Sequence, residues 1–271
     1  GILWDERMDL NVRESSTCPQ PARRRFSSHM EQLYLICFSF LTSTFTGAIG
    51  MGGGIMLISV MPGLVAPGAI IPVHGAVQLA SNSTRVAFGL RHTQWSILWP
   101  FLAGALVGAL LGSRLVLLLE PEAMTLVLGV FILLVVWVPV PEGSFRLPGH
   151  FAILGGAQTA LSLFVGVTGP LTNAFLLRRS LSRDQLVVTA GLLMTVTHLL
   201  KVVVFSMIGF AFTPYLPLIA GMIVAVTLGS YAGTRLRGRL PEALFRKIFK
   251  GLVTILALRM IINTTIGGET L

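Results

Sequence analysis

Long apolar runs divided by short polar punctuation dominate the chain. No Asp, Glu, Lys or Arg occurs between Glu31 and Arg85, from Thr93 to Ser113, from Ala123 to Pro141, from Leu147 to Leu177, or from Val202 to Thr234. A helix crossing a bilayer needs about 20 mostly apolar residues. The longer runs must therefore fold back. The pattern predicts eight helices over 32–61, 68–90, 95–118, 122–139, 149–177, 184–209, 214–235 and 241–263. Pro62, Pro67, Pro121, Pro139, Pro148, Pro214 and Pro241 stand near the predicted ends, where proline fits a first helical turn and blocks an interior. The fold expectation is an all-α, polytopic membrane protein.

Residues 1–29 break this pattern. They are polar, mixed in charge and without apolar period, so they read as a disordered leader. Met30, directly before the first apolar run, is a candidate start. That run is too long for the apolar core of a signal peptide.

The two halves of the chain echo one another. "STFTGAIG" (43–50) resembles "SLFVGVTG" (162–169), and Gly75, Ser81 and Arg85 pair with Gly191, Thr197 and Lys201. "WPFLAG" (99–104) resembles "LPLIAG", "GSRL" (112–115) resembles "GTRL", and "PEA" opens both 121–123 and 241–243. These matches divide the chain into a first repeat over 30–140, a linker over 141–148 and a second repeat over 149–271. Four complete spans per half would make the halves parallel. Re-entrant first spans would invert them. Internal duplication is a recurrent plan of secondary transporters, with the substrate site near mid-membrane.

Glycine marks where such a site would lie. "GAIGMGGG" (47–54) holds five glycines in eight residues, midway through the first predicted span. Its counterpart, "GVTGPLTN" (166–173), falls midway through the fifth and contains Pro170. Both are expected helix breaks, tolerated in a membrane only where protein or a water-filled cavity satisfies the freed backbone groups. A half-helix starting near Gly53 or Pro170 would aim bare N–H groups and the positive end of its dipole into that cavity, which suits an anion. The candidate backbone contacts are Gly50, Gly52, Gly53, Gly54 and Gly169, with Asn173 beside them. The spacing of Gly104, Gly108 and Gly112 reads instead as close helix packing.

Two polar trios add side chains: Ser81, Asn82 and Arg85 on the second span, and Thr197, His198 and Lys201 on the sixth. In each, the last two are three residues apart and share a helical face. A cation deep in a span is costly and normally faces a polar interior. Lys201 lies far inside its run, whereas Arg85 is near enough to an end to reach headgroups. His198 is the better candidate for a proton-coupling residue. His74, just after Pro72, reads as an interface residue.

Composition narrows the class. The chain of 271 residues is 54% hydrophobic and 11% charged, with a mean hydropathy of +0.81. Soluble domains carry roughly 25% charged residues. The formal net charge of +9 does not point to nucleic acid, because the basic residues sit in short loops. Arg178, Arg179 and Arg183, and the stretch from Arg235 to Lys250, mark cytoplasmic loops facing anionic headgroups. That placement puts both termini outside. Cys18 and Cys37 form neither a disulfide framework nor a metal cluster. No H-E-x-x-H, Walker loop or G-x-S-x-G occurs, so a metalloprotease, an ATP-driven pump and a serine hydrolase are disfavoured. No carboxylate lies deep in a span, which disfavours a cation pocket and favours an anionic cargo.

The glycine-rich first helix "GAIGMGGGIM", the duplicated halves and the G-x-x-x-G spans resemble the sulfite exporter TauE/SafE family of bacterial membrane proteins. The resemblance covers roughly 32–263. It implies a multi-pass carrier in the bacterial inner membrane for small anions, notably sulfite and sulfur-containing organic anions, with no enzymatic activity and no cofactor or metal. The expected partners are a small anionic substrate, membrane lipids and a coupling ion, with a proton as candidate. The alternatives left open are a non-transporting membrane subunit and an intramembrane enzyme. They are separated by anion flux and by whether Lys201 tolerates replacement.

Overall fold

In a computed structural model the chain is described over residues 29–50, 52–116, 121–137, 149–177, 179–236, 250–251, 253–259 and 261–262. The leader, the 138–148 connection and the basic stretch 237–249 lie outside these residues. Every long element described is helical: α1 (His29–Ile49), α2 (Gly53–Val60), α3 (Pro67–Phe88), α4 (Trp95–Val116), α5 (Pro121–Trp137), α6 (His150–Val165), α7 (Gly169–Leu176), α8 (Arg183–Met207) and α9 (Leu216–Leu236). Residues 250–262 are helical wherever they are described. Among the described residues, α1, α4, α8 and the segment Thr213–Leu236 are long and apolar enough to cross a membrane.

The first and fifth predicted spans are each two helices. α1 stops at Ile49 and α2 starts at Gly53; α6 stops at Val165 and α7 starts at Gly169. The stops are made by Gly50 (φ 101°) and Gly166 (φ 69°), in a region of backbone space that residues with a Cβ rarely enter. After each stop the chain doubles back. A side chain at Gly53 would strike the Thr42 carbonyl and Thr46, yet a continuous helix would hold residues 42 and 53 about 16 Å apart. In the second half the Thr172 hydroxyl donates to Gln158 Oε1 over 2.6 Å, although a straight helix would separate them by about 21 Å.

Helix partners are set by glycines. Side chains at Gly104 and Gly108 of α4 would run into the carbonyls of Ala152 and Gly156 on α6, and one at Gly112 would meet Ala160. Gly229 and Gly233 of α9 stand in the same way against Phe40 and Thr44 of α1. Both pairs run parallel and touch backbone to backbone, the small-residue packing expected where lipid supplies no hydrophobic drive. By contrast α3 and α8 cross antiparallel: Gly75 lies against Lys201, and Gly89 against Val188.

One interval recurs through these facts. α2 and α7 begin 116 residues apart (169 − 53), as do α3 and α8 (183 − 67). The register read from sequence, 43–50 on 162–169, is therefore three residues out at the helix breaks. Glycines at 47, 50 and 53 offer two G-x-x-G frames. The frame with the matching geometry sets Gly50 against Gly166 and Gly53 against Gly169. Both stops close alike, with Gly50 N–H on the Thr46 carbonyl at 2.8 Å and Gly166 N–H on the Ser162 carbonyl at 3.0 Å.

The interior has a dry part and a polar part. Leu35, Leu57, Ile58, Val73, Val77, Met222 and Val226 anchor a buried apolar cluster joining α1, α2, α3 and α9. Beside it Ser43 Oγ lies 2.9 Å from Ser81 Oγ and 2.8 Å from Ser230 Oγ. It also donates to the Val226 carbonyl at 2.8 Å, tying three helices together.

Candidate functional site

Two half-helices and two long helices meet around a cavity of about 50 Å³. A buried water needs only about 10–15 Å³ of such space, so the cavity holds a cluster of a few heavy atoms. α2 and α7 both start at its wall, through Gly52 and Gly54 on one side and Gly169 and Pro170 on the other. The Met56 N–H bonds to the Gly52 carbonyl, so the amides of Gly53, Gly54 and Ile55 precede the first intrahelical bond of α2 and are its orphan donors. α7 offers fewer, because Pro170 has no N–H and Leu171 N–H already bonds to the Thr168 carbonyl at 3.0 Å.

α3 lines the cavity with His74, Gln78, Asn82 and Arg85, one helical stripe at spacings of four, four and three. α8 answers with Ala190, Met194 and His198. Each of these three stands 116 residues after its α3 counterpart (190 − 74, 194 − 78, 198 − 82). Arg85 is 2% exposed, so it turns inward and does not reach headgroups. Its Nη1 donates to Asn82 Oδ1 at 2.9 Å and its Nη2 to Ser81 Oγ at 3.5 Å. Asn82 in turn donates from Nδ2 to the Gln78 carbonyl at 2.7 Å, which holds the guanidinium along the stripe. His74 is also interior, at 1% exposure. The doubled-back α2 brings the Gly54 carbonyl to 3.0 Å from His74 Nε2.

The structure therefore gathers Gly50, Gly52, Gly54, Asn82, Arg85, Gly169, Asn173 and His198 at one wall. Gly53 starts α2, but its Cα face is turned to α1. Thr197 is one layer behind: its hydroxyl accepts from Gln158 Nε2 at 3.1 Å and donates to the Leu193 carbonyl at 3.0 Å. Lys201 also lies outside the lining. Fully buried, it donates from Nζ to the Gly166 carbonyl at 2.7 Å, at the end of α6. Arg183 does the same for α1, its Nη2 reaching the Ala48 carbonyl at 3.2 Å. Each broken helix thus ends on a cation from α8, where its dipole is negative.

Sequence reasoning passed over Thr46, Gln78, Met194 and Gln158. Gln78 was findable, since it lies on the His74–Asn82 face. Gln158 joins α6, α7 and α8 through Thr172 and Thr197, and no local pattern marks it.

Electrostatically the wall is one-sided. Its lining includes a guanidinium, two imidazoles and two half-helix starts, and no carboxylate. Asn173 Oδ1 and the Nδ1 atoms of His74 and His198 are buried with no hydrogen-bond partner among the described residues. No group of three or more His, Cys, Asp or Glu among the described residues could hold a metal ion.

A family model described as Sulfite exporter TauE/SafE matches residues 35–260, which takes in every residue that lines the cavity. The chain belongs to the sulfite exporter TauE/SafE family. Family membership and the apolar helices together make it a multi-pass membrane protein of a transporter family. No curated protein and no solved structure matches the chain.

Proposed function

We propose that this TauE/SafE protein is a secondary carrier of small oxyanions, sulfite and sulfonates first among them, in the bacterial inner membrane. The observation that carries the reading is the meeting of the α2 and α7 starts with Arg85 at a cavity whose lining holds no carboxylate. Half-helix N-termini aimed at an anionic group near mid-membrane are a recurrent transporter device. In a water-poor site such donors act at low dielectric. Arg85 supplies full charge, Asn82 positions it, and the amides around Gly54 and Gly169 surround the anion.

The carrier works by rocking two related four-helix halves about this site. The 116-residue interval supports the duplication, as do the matched helix breaks and the matched glycine contacts of α4 on α6 and α9 on α1. The antiparallel crossing of α3 and α8 supports inverted halves, because only a two-fold axis in the membrane plane relates equivalent helices that run oppositely. Arg91, Arg179, Arg183 and Arg235 fall at the same end of the bundle, which supports that end as cytoplasmic.

Proteoliposomes test the function. Purified protein should give saturable uptake of labelled sulfite, abolished by Arg85→Met. Absence of flux under every imposed gradient would leave a non-transporting subunit as the better reading.

A further inference from the structure

Two buried imidazoles face each other across the site, and the anion reading alone gives them nothing to do. The rings of His74 and His198 stand edge to face with centroids 6.0 Å apart. They come from opposite halves, one from α3 and one from α8. The partner of His74 Nε2 is the Gly54 carbonyl at 3.0 Å, and a carbonyl only accepts. Nε2 therefore keeps its hydrogen, and any change in protonation of His74 falls on Nδ1. That Nδ1 is buried and without a partner among the described residues, as is Nδ1 of His198. A buried acceptor with no donor is costly, and a proton arriving at Nδ1 turns it into a donor for an anion in the same cavity. The other charged groups near this pair are Lys201 from α8 and Arg85 from α3, which lines the same cavity. The cavity-lining residues of α1, α2 and α7 are uncharged.

We propose that the His74–His198 pair is the proton-binding site of the carrier, loaded together with the anion and emptied with it. The proton adds to the Nδ1 lone pair, no other bond forms or breaks, and the Gly54 hydrogen bond is kept. A monoanion, such as a sulfonate or hydrogensulfite, crosses with one proton as a neutral load, and a sulfite dianion crosses with its charge halved, so the membrane potential acts less on the loaded step. Placing the pair at the contact of the two halves lets the same proton be exposed to either face. The Gly54 carbonyl links the histidine to the half-helix whose amides surround the anion, so the two loads share one element.

This inference rests on the anion-carrier reading, and one experiment separates their failures. Sulfite is titrated into purified protein by calorimetry in buffers of differing ionisation enthalpy, which counts protons taken up per anion bound. The wild type should take up about one proton per sulfite. His74→Gln and His198→Gln should each take up markedly fewer per anion bound, whatever their affinity. Absence of binding in the wild type would sink the carrier reading itself. Binding without proton uptake would overturn the histidine proposal alone. Uptake that persists undiminished in both variants would overturn it too, because the proton would then ride on the sulfite.

Discussion

The Lys201 ammonium donates to the Gly166 carbonyl over 2.7 Å, with the side chain fully buried. This bond closes the end of α6 at the place where the chain turns back. A cation read from sequence as a substrate ligand thus bonds to backbone, and the guanidinium that lines the cavity belongs to its sequence counterpart, Arg85. Lys201→Met leaves the carbonyl unsatisfied in a dry interior. It should cost about 2 kcal/mol of stability and reduce sulfite uptake by misplacing α7, measured as thermal unfolding and flux on the same preparation.

Space around the half-helix starts predicts an asymmetry. A methyl at Gly53 would collide with the Thr42 carbonyl and Thr46, whereas one at Gly169 would meet nothing within 4 Å. Gly53→Ala should lose transport and folding yield together. Gly169→Ala should unfold within about 0.5 kcal/mol of the wild type. Equal effects at the two positions would contradict the doubled-back path of α2.

The parallel helix pairs predict matched damage. Gly108 packs on the Gly156 carbonyl, and Gly229 packs on the Phe40 carbonyl. Valine at either position pushes two backbones apart and should destabilise by about 2 kcal/mol or more. Yield and melting of Gly108→Val and Gly229→Val should fall by similar amounts.

Inverted halves predict which loops share a side. The link between α3 and α4 carries Arg91, and that between α8 and α9 carries Thr213, both exposed. Because α3 and α8 run oppositely, Arg91→Cys and Thr213→Cys should react with an impermeant thiol reagent from opposite faces. The background is Cys18→Ser and Cys37→Ser. Labelling of both from one face would restore parallel halves.

The all-helical, membrane-embedded character was legible because bilayer thickness imposes a length on a span, and charge-free runs report it directly. The helix breaks were legible for a related reason: glycine density as high as that of 50–54 lowers helix propensity over a whole turn. The direction taken after each break was not. Doubling back depends on Thr42 and Thr46 accepting Gly53, a contact with no periodic signature. The site divided along the same line. Asn82, Arg85 and His198 stood out as polar residues in apolar helices, while the role of Lys201 depended on where the Gly166 carbonyl came to rest. His74 looked peripheral beside Pro72, because the elements that cover it, the folded-back α2 and His198 of α8, come from elsewhere in the chain.

The account stands or falls on where an oxyanion sits. Protein equilibrated with selenite, a sulfite analogue with a strong anomalous signal, can be crystallised and the selenium located. The account predicts a single peak within hydrogen-bonding reach of Arg85, between the amides of α2 near Gly54 and the start of α7 at Gly169. Selenium found only at the surface arginines, with the cavity empty at saturating selenite, would contradict it.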